Sequence, residues 1–426
     1  MNVIILLFAV LALCFIIRMP VSLAMLAASI SYFIISGRNL EQVFTVMSGN
    51  MYSNYTMLAA PLFIFMANVM NEGEITDKLF KFCNGIFGRL RGGTAQVNVT
   101  ASLIFSGMTG SAIADASGIG LMEIEQMNKE GYNPEFSCAL TAASATVGPI
   151  FPPSIPMVIY AMLSGASIGK LFMGGMIPGI FLSILLMIYV AILSIKRKFP
   201  RGQKMLAKEL LRVTLSAGPA LFTVVLLLGG IYLGVVTPTE AGALASAYAI
   251  IISILIYKNL GLQKLWKIIK KSASNTATLA LLAGTSMLFS YIISLEQVPR
   301  AVSTLVMGIT ENKYLFLMVV NVVFLLLGCV LDVSTIQLVF IPMVLPLVKA
   351  FGIDMVHFGV IICLNMMIGL STPPFGMLLF IVTGLGKTKI SGVIREIIPM
   401  ILVMIGLLLL ITYVPQIVMW IPDNFM

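Results

Sequence analysis

The sequence predicts an all-α polytopic membrane protein built from two inverted-topology repeats. Of its 426 residues, 59% are hydrophobic and only 10% are charged, whereas about a quarter of an ordinary soluble domain is charged. Apolar stretches of membrane-spanning length recur along the chain, and a pattern of Gly and Pro in its first half returns in its second half. This composition excludes a soluble enzyme, a disordered protein and a nucleic-acid binder.

The apolar stretches define the candidate membrane spans. About 20 apolar residues cross a bilayer as a helix, and Arg18 after the first stretch, with no basic region before it, indicates a span rather than a secretory signal. We expect spans at about 3–17, 20–36, 55–71, 134–164, 171–195, 213–236, 240–257, 274–293, 355–385 and 397–420.

Two further apolar stretches, 94–127 and 314–348, have the character of hairpins. Each is too long for one span, and each half is too short to cross comfortably. Gly and small polar residues lie near the middle of both, so we expect re-entrant helical hairpins. Their turns are tolerated only inside protein or beside water.

Two of the expected spans are interrupted near their middles. The break in 134–164 is Gly148–Ser154, and the break in 355–385 is Gly369–Pro374. Each contains a Pro pair, and proline lacks an N–H and clashes with the preceding helical turn. Both spans are therefore predicted to be broken helices.

Positive charges predict the orientation of the chain. If the N-terminus lies outside and each hairpin returns to its own side, 21 of the 26 Lys and Arg residues lie inside. Surplus Lys and Arg mark cytoplasmic loops, so this orientation is favoured, and the net charge of +9 need not signal an anionic partner. The two hairpins then enter from opposite faces. The inner residues are Arg18 and the basic residues of 78–129, 196–212, 258–271 and 387–395.

The basic stretch 258–271 looks amphipathic, because Leu265, Trp266 and Ile268 alternate with its lysines. Such a segment is predicted to lie along the inner membrane surface. The alternative is an ordinary solvated loop.

An internal repeat relates the two halves of the chain. Shifting the sequence by 221 residues aligns Gly107 with Gly328 and Gly148 with Gly369, and the two Pro pairs also coincide. Both copies have the order hairpin, broken helix, long span, and the charge bias makes them face opposite ways. Inverted copies with matching broken helices are typical of secondary transporters, whose binding site lies at the midplane between the copies. Chance matching of a few Gly and Pro residues is the alternative.

The four breaks are expected to converge on a binding site for Na⁺ and an anion. Freed carbonyls and hydroxyls coordinate Na⁺, and half-helix N-termini favour anions. The breaks contain no Lys or Arg, so backbone N–H groups, hydroxyls and bound cations would hold the anion. The alternative is that the Ser and Thr residues only join helices. The Na⁺ candidates are Ser106, Gly107, Thr109, Gly110, Ser111, Gly148, Gly328, Asp332, Ser334, Thr335, Gly369 and Thr372. The substrate candidates are Pro152, Pro153, Ser154, Ser371, Pro373 and Pro374.

The acidic residues near the breaks have two interpretations. Asp332 is the only acid in the second hairpin tip, and it either ligates a cation or caps the tip by accepting backbone N–H bonds. Asp115 has the same alternatives. Glu240 follows Thr237 at the start of a span, which favours a helix cap, and a structural role is favoured for His357.

The remaining reactive residues argue against an enzyme. The five cysteines form no CxxC pair and are expected to pack inside helices, and a single His cannot build a metal site. The sequence shows no Ser/His dyad, no acidic pair motif and no complete phosphate-binding loop. We therefore expect no cofactor, with Na⁺ as the coupling ion.

At these motifs the sequence resembles the large membrane subunit of tripartite ATP-independent periplasmic (TRAP) transporters, in the ion transporter superfamily. The resemblance covers essentially the whole chain. The segments that carry it are Ser106–Gly120, Glu130-Gly131-Tyr132, Gly148–Tyr160, Thr237–Ala241, Pro342–Gly359 and Gly369–Gly376.

The resemblance implies Na⁺-coupled import by an elevator mechanism in the bacterial inner membrane, where the charge bias predicts a periplasmic N-terminus. It also implies a small four-helix membrane subunit as a separate chain and a periplasmic substrate-binding protein. The family's substrates are carboxylates, namely C4-dicarboxylates, sialic acid, other sugar acids and keto acids. The rival hypothesis is a stand-alone dicarboxylate carrier or ion antiporter of the same superfamily, which needs no binding protein.

The elevator interpretation divides the chain into scaffold and transport segments. Scaffold helices are expected in 1–93, in 171–313 with its basic loop 196–212, and in the C-terminal span of 391–426. The two halves of the transport domain are 94–170 and 314–390.

Overall fold

The computed structural model describes residues 2–53, 55–72, 75–201 and 205–425. Within these ranges the secondary structure is helical, apart from one isolated bridge between Arg91 and Arg201. Six of the described helices are long and apolar enough to cross a membrane. The structure therefore confirms an all-helical chain with several apolar spans.

The N-terminal region contains two helices that the sequence analysis did not predict, α3 and α5. Each has only 13 residues and carries charged or polar residues such as Glu41 in α3 and Asp77 in α5, so neither stands out as an apolar stretch. The elements here are α1 (Asn2–Ile16), α2 (Val21–Ile35), α3 (Glu41–Ser53), a 3₁₀ helix (Tyr55–Leu58), α4 (Ala59–Glu72) and α5 (Ile75–Phe87).

The next region forms the first predicted hairpin and broken helix. The arms of hairpin 1 turn at Gly110, and the break lies between Ala145 and Ile155, with a cis bond between Pro152 and Pro153. Asn133 caps the first half-helix by accepting a hydrogen bond from Glu135 N at 2.8 Å. The helices are α6 (Gly93–Thr109), α7 (Ala112–Ser117), α8 (Ile119–Lys129), α9 (Pro134–Ala145), α10 (Ile155–Ser164) and α11 (Ile168–Lys196).

In the middle of the chain, the basic stretch 258–271 is not separated from the span predicted to follow it. From Leu262 onward it is the first part of a 34-residue helix that continues to Leu295, and its place along the membrane surface stays a prediction. Neither Gly nor Pro interrupts 262–283, so nothing local ends the helix. The helices are α12 (Ala207–Tyr232), α13 (Pro238–Leu255), α14 (Leu262–Leu295) and the unpredicted α15 (Val298–Ile309).

The last region repeats the order hairpin, broken helix, long helix. Its single predicted C-terminal span is two helices, because Pro415 disfavours helical geometry at Val414. The bond between Pro373 and Pro374 is cis, as in the first break. The helices are α16 (Lys313–Gly328), α17 (Val333–Ala350), α18 (Met355–Leu370), α19 (Met377–Gly386), α20 (Ile390–Tyr413) and α21 (Gln416–Phe425).

The broken helices occupy the centre of the molecule. The half-helix α9 packs against α19 and α20, and α10 packs against α17 and α18. All residues of α18 after Met355 are buried, whereas only about a third of the most apolar part of α11 is buried. Each half of the first broken helix is thus fixed by helices from the other half of the chain, which brings the two breaks close to each other.

Candidate functional site

The four breaks meet at one small cavity of about 100 Å³. Hairpin 1, the first break, hairpin 2 and the end of α18 all contribute to its wall, as the sequence analysis predicted. The lining residues are Gly110, Ser111, Ala112, Ile113, Pro149, Ile155, Pro156, Asp332, Val333, Ser334, Met367 and Leu370. We call this space the central cavity.

The tip of hairpin 1 is joined to the first break through Gly110. This residue has a left-handed backbone with φ of +60°, and its N–H donates to Ser106 O at 3.2 Å. Its carbonyl accepts from Ile155 N at 3.3 Å, and a Cβ added to Gly110 would lie 2.5 Å from Pro153 O. Only glycine fits this conformation and this close approach.

The first break is closed by Ser154, a predicted substrate residue. Its hydroxyl donates to Pro149 O and accepts from Met157 N at 3.2 Å. The side chain is fully buried and caps α10. In this conformation Ser154 acts as a helix cap.

Asp332 at the tip of hairpin 2 caps α17 and also lines the central cavity. One carboxylate oxygen accepts from Thr335 N at 3.1 Å, and the other accepts from the Thr335 hydroxyl. Asp332 therefore acts as the N-cap of α17, which is one of its two predicted roles. Its hydrogen-bond donors among the described residues are the neutral groups of Thr335, so a cation in the cavity would be attracted to the carboxylate.

Hairpin 2 and the second break touch through two glycines. A Cβ on Gly369 would lie 2.6 Å from Gly328 Cα, and one on Gly328 would lie 2.9 Å from Gly369 Cα. The hydroxyls of Ser371 and Thr372 both donate to Ile368 O, at 2.9 and 2.6 Å. The contact between Gly328 and Gly369 holds the end of α18 against the tip of hairpin 2.

The structure brings four of the predicted Na⁺ residues to the wall of the central cavity, namely Gly110, Ser111, Asp332 and Ser334. Ser106 and Gly148 approach each other behind that wall, since a Cβ on Gly148 would lie 3.8 Å from Ser106 Cβ. The predicted substrate residues do not line this cavity. These residues are Pro152, Pro153, Ser154, Ser371, Pro373 and Pro374.

A larger polar cleft of about 560 Å³ adjoins the central cavity and shares Ser111 and Ile113 with it. Sequence reasoning missed this cleft. Two features of the sequence could have indicated it. Asn68 and Asn71 are polar residues inside a predicted apolar span, and Lys271 is one of the basic residues that we used only to predict the orientation of the chain. The lining residues are Asn68, Asn71, Thr76, Ser111, Ile113, Ala114, Ser117, Gly118, Met122, Lys271 and Asn275. We call it the polar cleft.

Lys271 changes the expected chemistry of the anion site. The breaks themselves contain no basic residue, but α14 adds this ammonium group next to the hairpin 1 tip. Asn68 is held in place because its Nδ2 donates to Ser272 Oγ at 2.9 Å. The cleft therefore offers amide groups and one positive charge, which together suit a carboxylate.

Residues assigned to structural roles have the contacts expected of them. Thr237 and Glu240 form a capping box at the start of α13, in which Glu240 Oε2 accepts from Thr237 N at 2.8 Å. His357 is buried, and its Nε2 lies 2.8 Å from Ile411 O. The five cysteines are buried and free. Among the described residues, no three His, Cys, Asp or Glu side chains are grouped to hold a metal.

Interrupted apolar helices that surround a cavity with an acidic side chain and hydroxyls in its wall are typical of membrane transporter permeases. Residues 8–417 match the family described as "Tripartite ATP-independent periplasmic transporter, DctM component", and the chain belongs to this family. The resemblance found in the sequence is thereby confirmed. The chain is a permease and not an enzyme.

Relatives of known name support this assignment over nearly the whole length. The chain is 36% identical over 409 residues to the sialic acid TRAP transporter large permease protein SiaM of Vibrio cholerae, with 96% of both chains covered. It is 36% identical to the sialic acid TRAP transporter permease protein SiaT of Haemophilus influenzae, covering 96% of this chain and 66% of SiaT. It is 33% identical to the C4-dicarboxylate TRAP transporter large permease protein DctM of Pseudomonas aeruginosa, with 87% of both chains covered.

A solved structure resembles the fold. The crystal structure of the Alcanivorax borkumensis YdaH transporter matches with a TM-score of 0.61 at 15% sequence identity, covering 91% of this chain and 89% of that one. At this identity the similarity concerns the fold alone.

Proposed function

We propose that the chain imports an organic acid by Na⁺-coupled secondary transport. The observation that carries this proposal is the central cavity, where four backbone breaks bring together the hydroxyls of Ser111 and Ser334 and the carboxylate of Asp332. Na⁺ is bound by oxygen ligands at such breaks. A volume of about 100 Å³ suits ions.

The proposed substrate site is the polar cleft beside the central cavity. A carboxylate there would meet Lys271 and the amides of Asn68 and Asn275, while Ser111 connects it to the Na⁺ site. Cations bound in the central cavity would add positive charge close to the acid, so binding of the two would be coupled. The names of the relatives support sialic acid and C4-dicarboxylates as the substrate classes.

We further propose an elevator mechanism with two inverted repeats. The transport domain comprises 94–170 and 314–390, and the scaffold comprises 1–93, 171–313 and 391–426. The repeated order of hairpin, broken helix and long helix supports this division, as does the packing of α9 against α19 and of α10 against α17 and α18. The contact between Gly107 and Val224 of α12 would belong to the surface on which the domains slide.

The proposal includes two partners in the bacterial inner membrane system. One is a small four-helix membrane subunit as a separate chain, and the other is a periplasmic protein that delivers the acid. The match of this chain to only 66% of SiaT supports an additional membrane component. The N-terminus is proposed to be periplasmic, which places Lys271 and the mouth of the polar cleft towards the cytoplasm.

The experiment has two steps. A thermal-shift screen of the partner binding protein against organic acids identifies the substrate. Uptake of that acid is then measured in proteoliposomes that contain this chain, the small subunit and the binding protein, with an inward Na⁺ gradient. Omitting either partner or replacing Na⁺ by K⁺ should abolish uptake. Equal uptake by the chain alone would instead favour a stand-alone carrier.

A further inference from the structure

Two arginines are held opposite each other at the base of hairpin 1. Arg91 lies just before α6 and Arg201 follows α11, and the two residues form the isolated antiparallel bridge. Next to this pair, Gly92 N donates to Pro200 O at 3.0 Å. Opposite residues that are flanked by such bonds have Cα atoms about 4.5 Å apart and side chains on the same face. The two guanidinium groups therefore project from neighbouring positions, although like charges placed opposite each other repel.

The fold fixes this arrangement through contacts on both segments. Phe199 is buried and packs against the rings of Tyr132 and Phe136, with centroid distances of 4.8 and 5.1 Å. Gly92 has a φ of +71° and approaches α11 so closely that an added Cβ would lie 2.1 Å from Ser194 Oγ. Only glycine fits this position. The two arginines therefore cannot move apart without breaking these contacts.

Two acidic side chains touch the neighbouring residues, and both are engaged there. Glu396 accepts two hydrogen bonds from Arg197, at 2.8 and 3.0 Å. Glu130 accepts from the Thr94 hydroxyl and, at 2.8 Å, from Gln126 Nε2. In the described part of the chain, no salt bridge involves either arginine of the bridge. The positive charge of the pair is thus left for a ligand.

An exposed apolar stripe on α11 ends beside the pair. Ile188, Ile192 and Ile195 are 50%, 52% and 67% exposed, and their spacing places them on one side of the helix. Ile195 follows Ser194, on which Gly92 packs. Because α11 is long and apolar enough to cross a membrane, this isoleucine stripe is placed to contact lipid acyl chains. The two arginines then lie at the level of the lipid headgroups.

A phosphate group is the ligand that suits this arrangement best. Guanidinium groups bind phosphate oxygens through paired N–H donors, and an anion between two arginines offsets their repulsion. The segments 88–93 and 194–201 contain no acid, and Arg89 and Lys198 add further positive charge. An anionic lipid, whose phosphate is not balanced by a cationic headgroup, fits this excess better than a zwitterionic lipid.

We propose that Arg91 and Arg201 bind the phosphate group of an anionic phospholipid, whose acyl chains lie along the isoleucine stripe. The lipid holds the base of hairpin 1 and the end of α11 at the membrane surface. Neither arginine lines the central cavity or the polar cleft, so the site depends neither on Na⁺ nor on the organic acid.

The test is native mass spectrometry of the purified full chain in detergent, titrated with phosphatidylglycerol or with phosphatidylethanolamine of the same acyl chains. The wild type should bind one phosphatidylglycerol more tightly than phosphatidylethanolamine. Arg91→Gln and Arg201→Gln should each weaken phosphatidylglycerol binding roughly fivefold, the usual contribution of one basic residue at a membrane surface. The matched control, Arg212→Gln, removes an exposed arginine of α12 and should leave this binding unchanged.

The variant Arg201→Lys separates charge from geometry. Lysine keeps the charge but loses the paired donors, so its affinity should lie between those of the wild type and Arg201→Gln. Three results would overturn the proposal. One is equal retention of the two lipids or of neither, as expected if a partner subunit covers the stripe. Another is an equal loss of affinity in Arg212→Gln, which would indicate diffuse surface charge. The third is binding of inorganic phosphate as tight as that of phosphatidylglycerol, because the site would then take a free anion.

Discussion

Hairpin 2 and the second broken helix cross at Gly328 and Gly369, so Gly369→Ala is a defined steric perturbation. Its Cβ would lie 2.6 Å from Gly328 Cα and 2.8 Å from Gly328 C, whereas ordinary van der Waals contact begins at 3.4 Å. The opposing atoms are backbone atoms and cannot rotate away. The hairpin tip must therefore move away from α18, and overpacking of this kind costs about 1–3 kcal/mol.

Gly384→Ala is the matched control in the same broken helix. No atom lies within 4 Å of the Cβ position at Gly384, and both glycines are near the ends of helices. The gain in helix propensity from Gly to Ala, about 1 kcal/mol, applies to both variants and cancels in the comparison. We therefore expect Gly369→Ala to be less stable than Gly384→Ala by about 1–3 kcal/mol.

The assay is unfolding of the purified chain in mixed micelles by a titration with sodium dodecyl sulfate, followed by circular dichroism. Uptake by reconstituted protein is measured in parallel, and we expect only Gly369→Ala to impair it. Equal stability of the two variants would refute the reasoning, because it would mean that hairpin 2 is not packed against α18 in this way.

Three further predictions concern the cavity, the breaks and the cleft. Asp332→Asn should keep the cap and change the free energy of unfolding by less than about 0.5 kcal/mol. It should also raise the Na⁺ concentration for half-maximal uptake roughly tenfold, because an interaction with a charged group is worth about 1.5–3 kcal/mol. An unchanged Na⁺ dependence would mean that Asp332 acts only as a helix cap. The double variant Pro152→Ala and Pro373→Ala should lower the uptake rate by closing the breaks, and a wild-type rate would contradict this. Lys271→Met should raise the half-saturating concentration of internal acid in efflux assays roughly fivefold, which corresponds to about 1 kcal/mol for an exposed charge. The control variant Lys270→Met should leave this concentration unchanged. Equal effects of the two variants would show that Lys271 does not contribute to the substrate site.

The sequence placed the helix breaks and turns close to where the structure has them, because their signals are local. The break in 134–164 is observed between Ala145 and Ile155, and hairpin 1 extends over 93–129 where 94–127 was expected. Proline pairs and glycines act on the backbone next to them, so their positions in the sequence define the breaks directly. The convergence of the four breaks was predicted from the repeat alone.

The short amphipathic helices could not be predicted from apolar length. The helix α5 carries charges on one side and packs on α6 and α12 with the other. Its stability comes from tertiary contacts, which a search for apolar runs does not detect. A search for apolar runs also did not detect that the lysine-rich residues from Leu262 onward belong to the same helix as the following span, α14.

The polar cleft and a pair of buried acids depend on contacts between distant segments. Lys271 and Asn68 are 203 positions apart in the chain but line one cleft. Asp115 and Glu123 are eight residues apart in the sequence, and only the fold reveals that both are buried with no hydrogen bond to their carboxylates from the described residues. Such features follow from packing, not from sequence spacing.

The central claim is that a Na⁺ gradient drives accumulation of an organic acid through this chain. The direct measurement starts with equal concentrations of the acid on both sides of proteoliposomes that contain the chain, the small subunit and the binding protein. Imposing an inward Na⁺ gradient should raise the internal concentration of the acid above the external one, and dissipating the gradient should abolish this accumulation. Equal concentrations that persist under the Na⁺ gradient, or accumulation without it, would contradict the account.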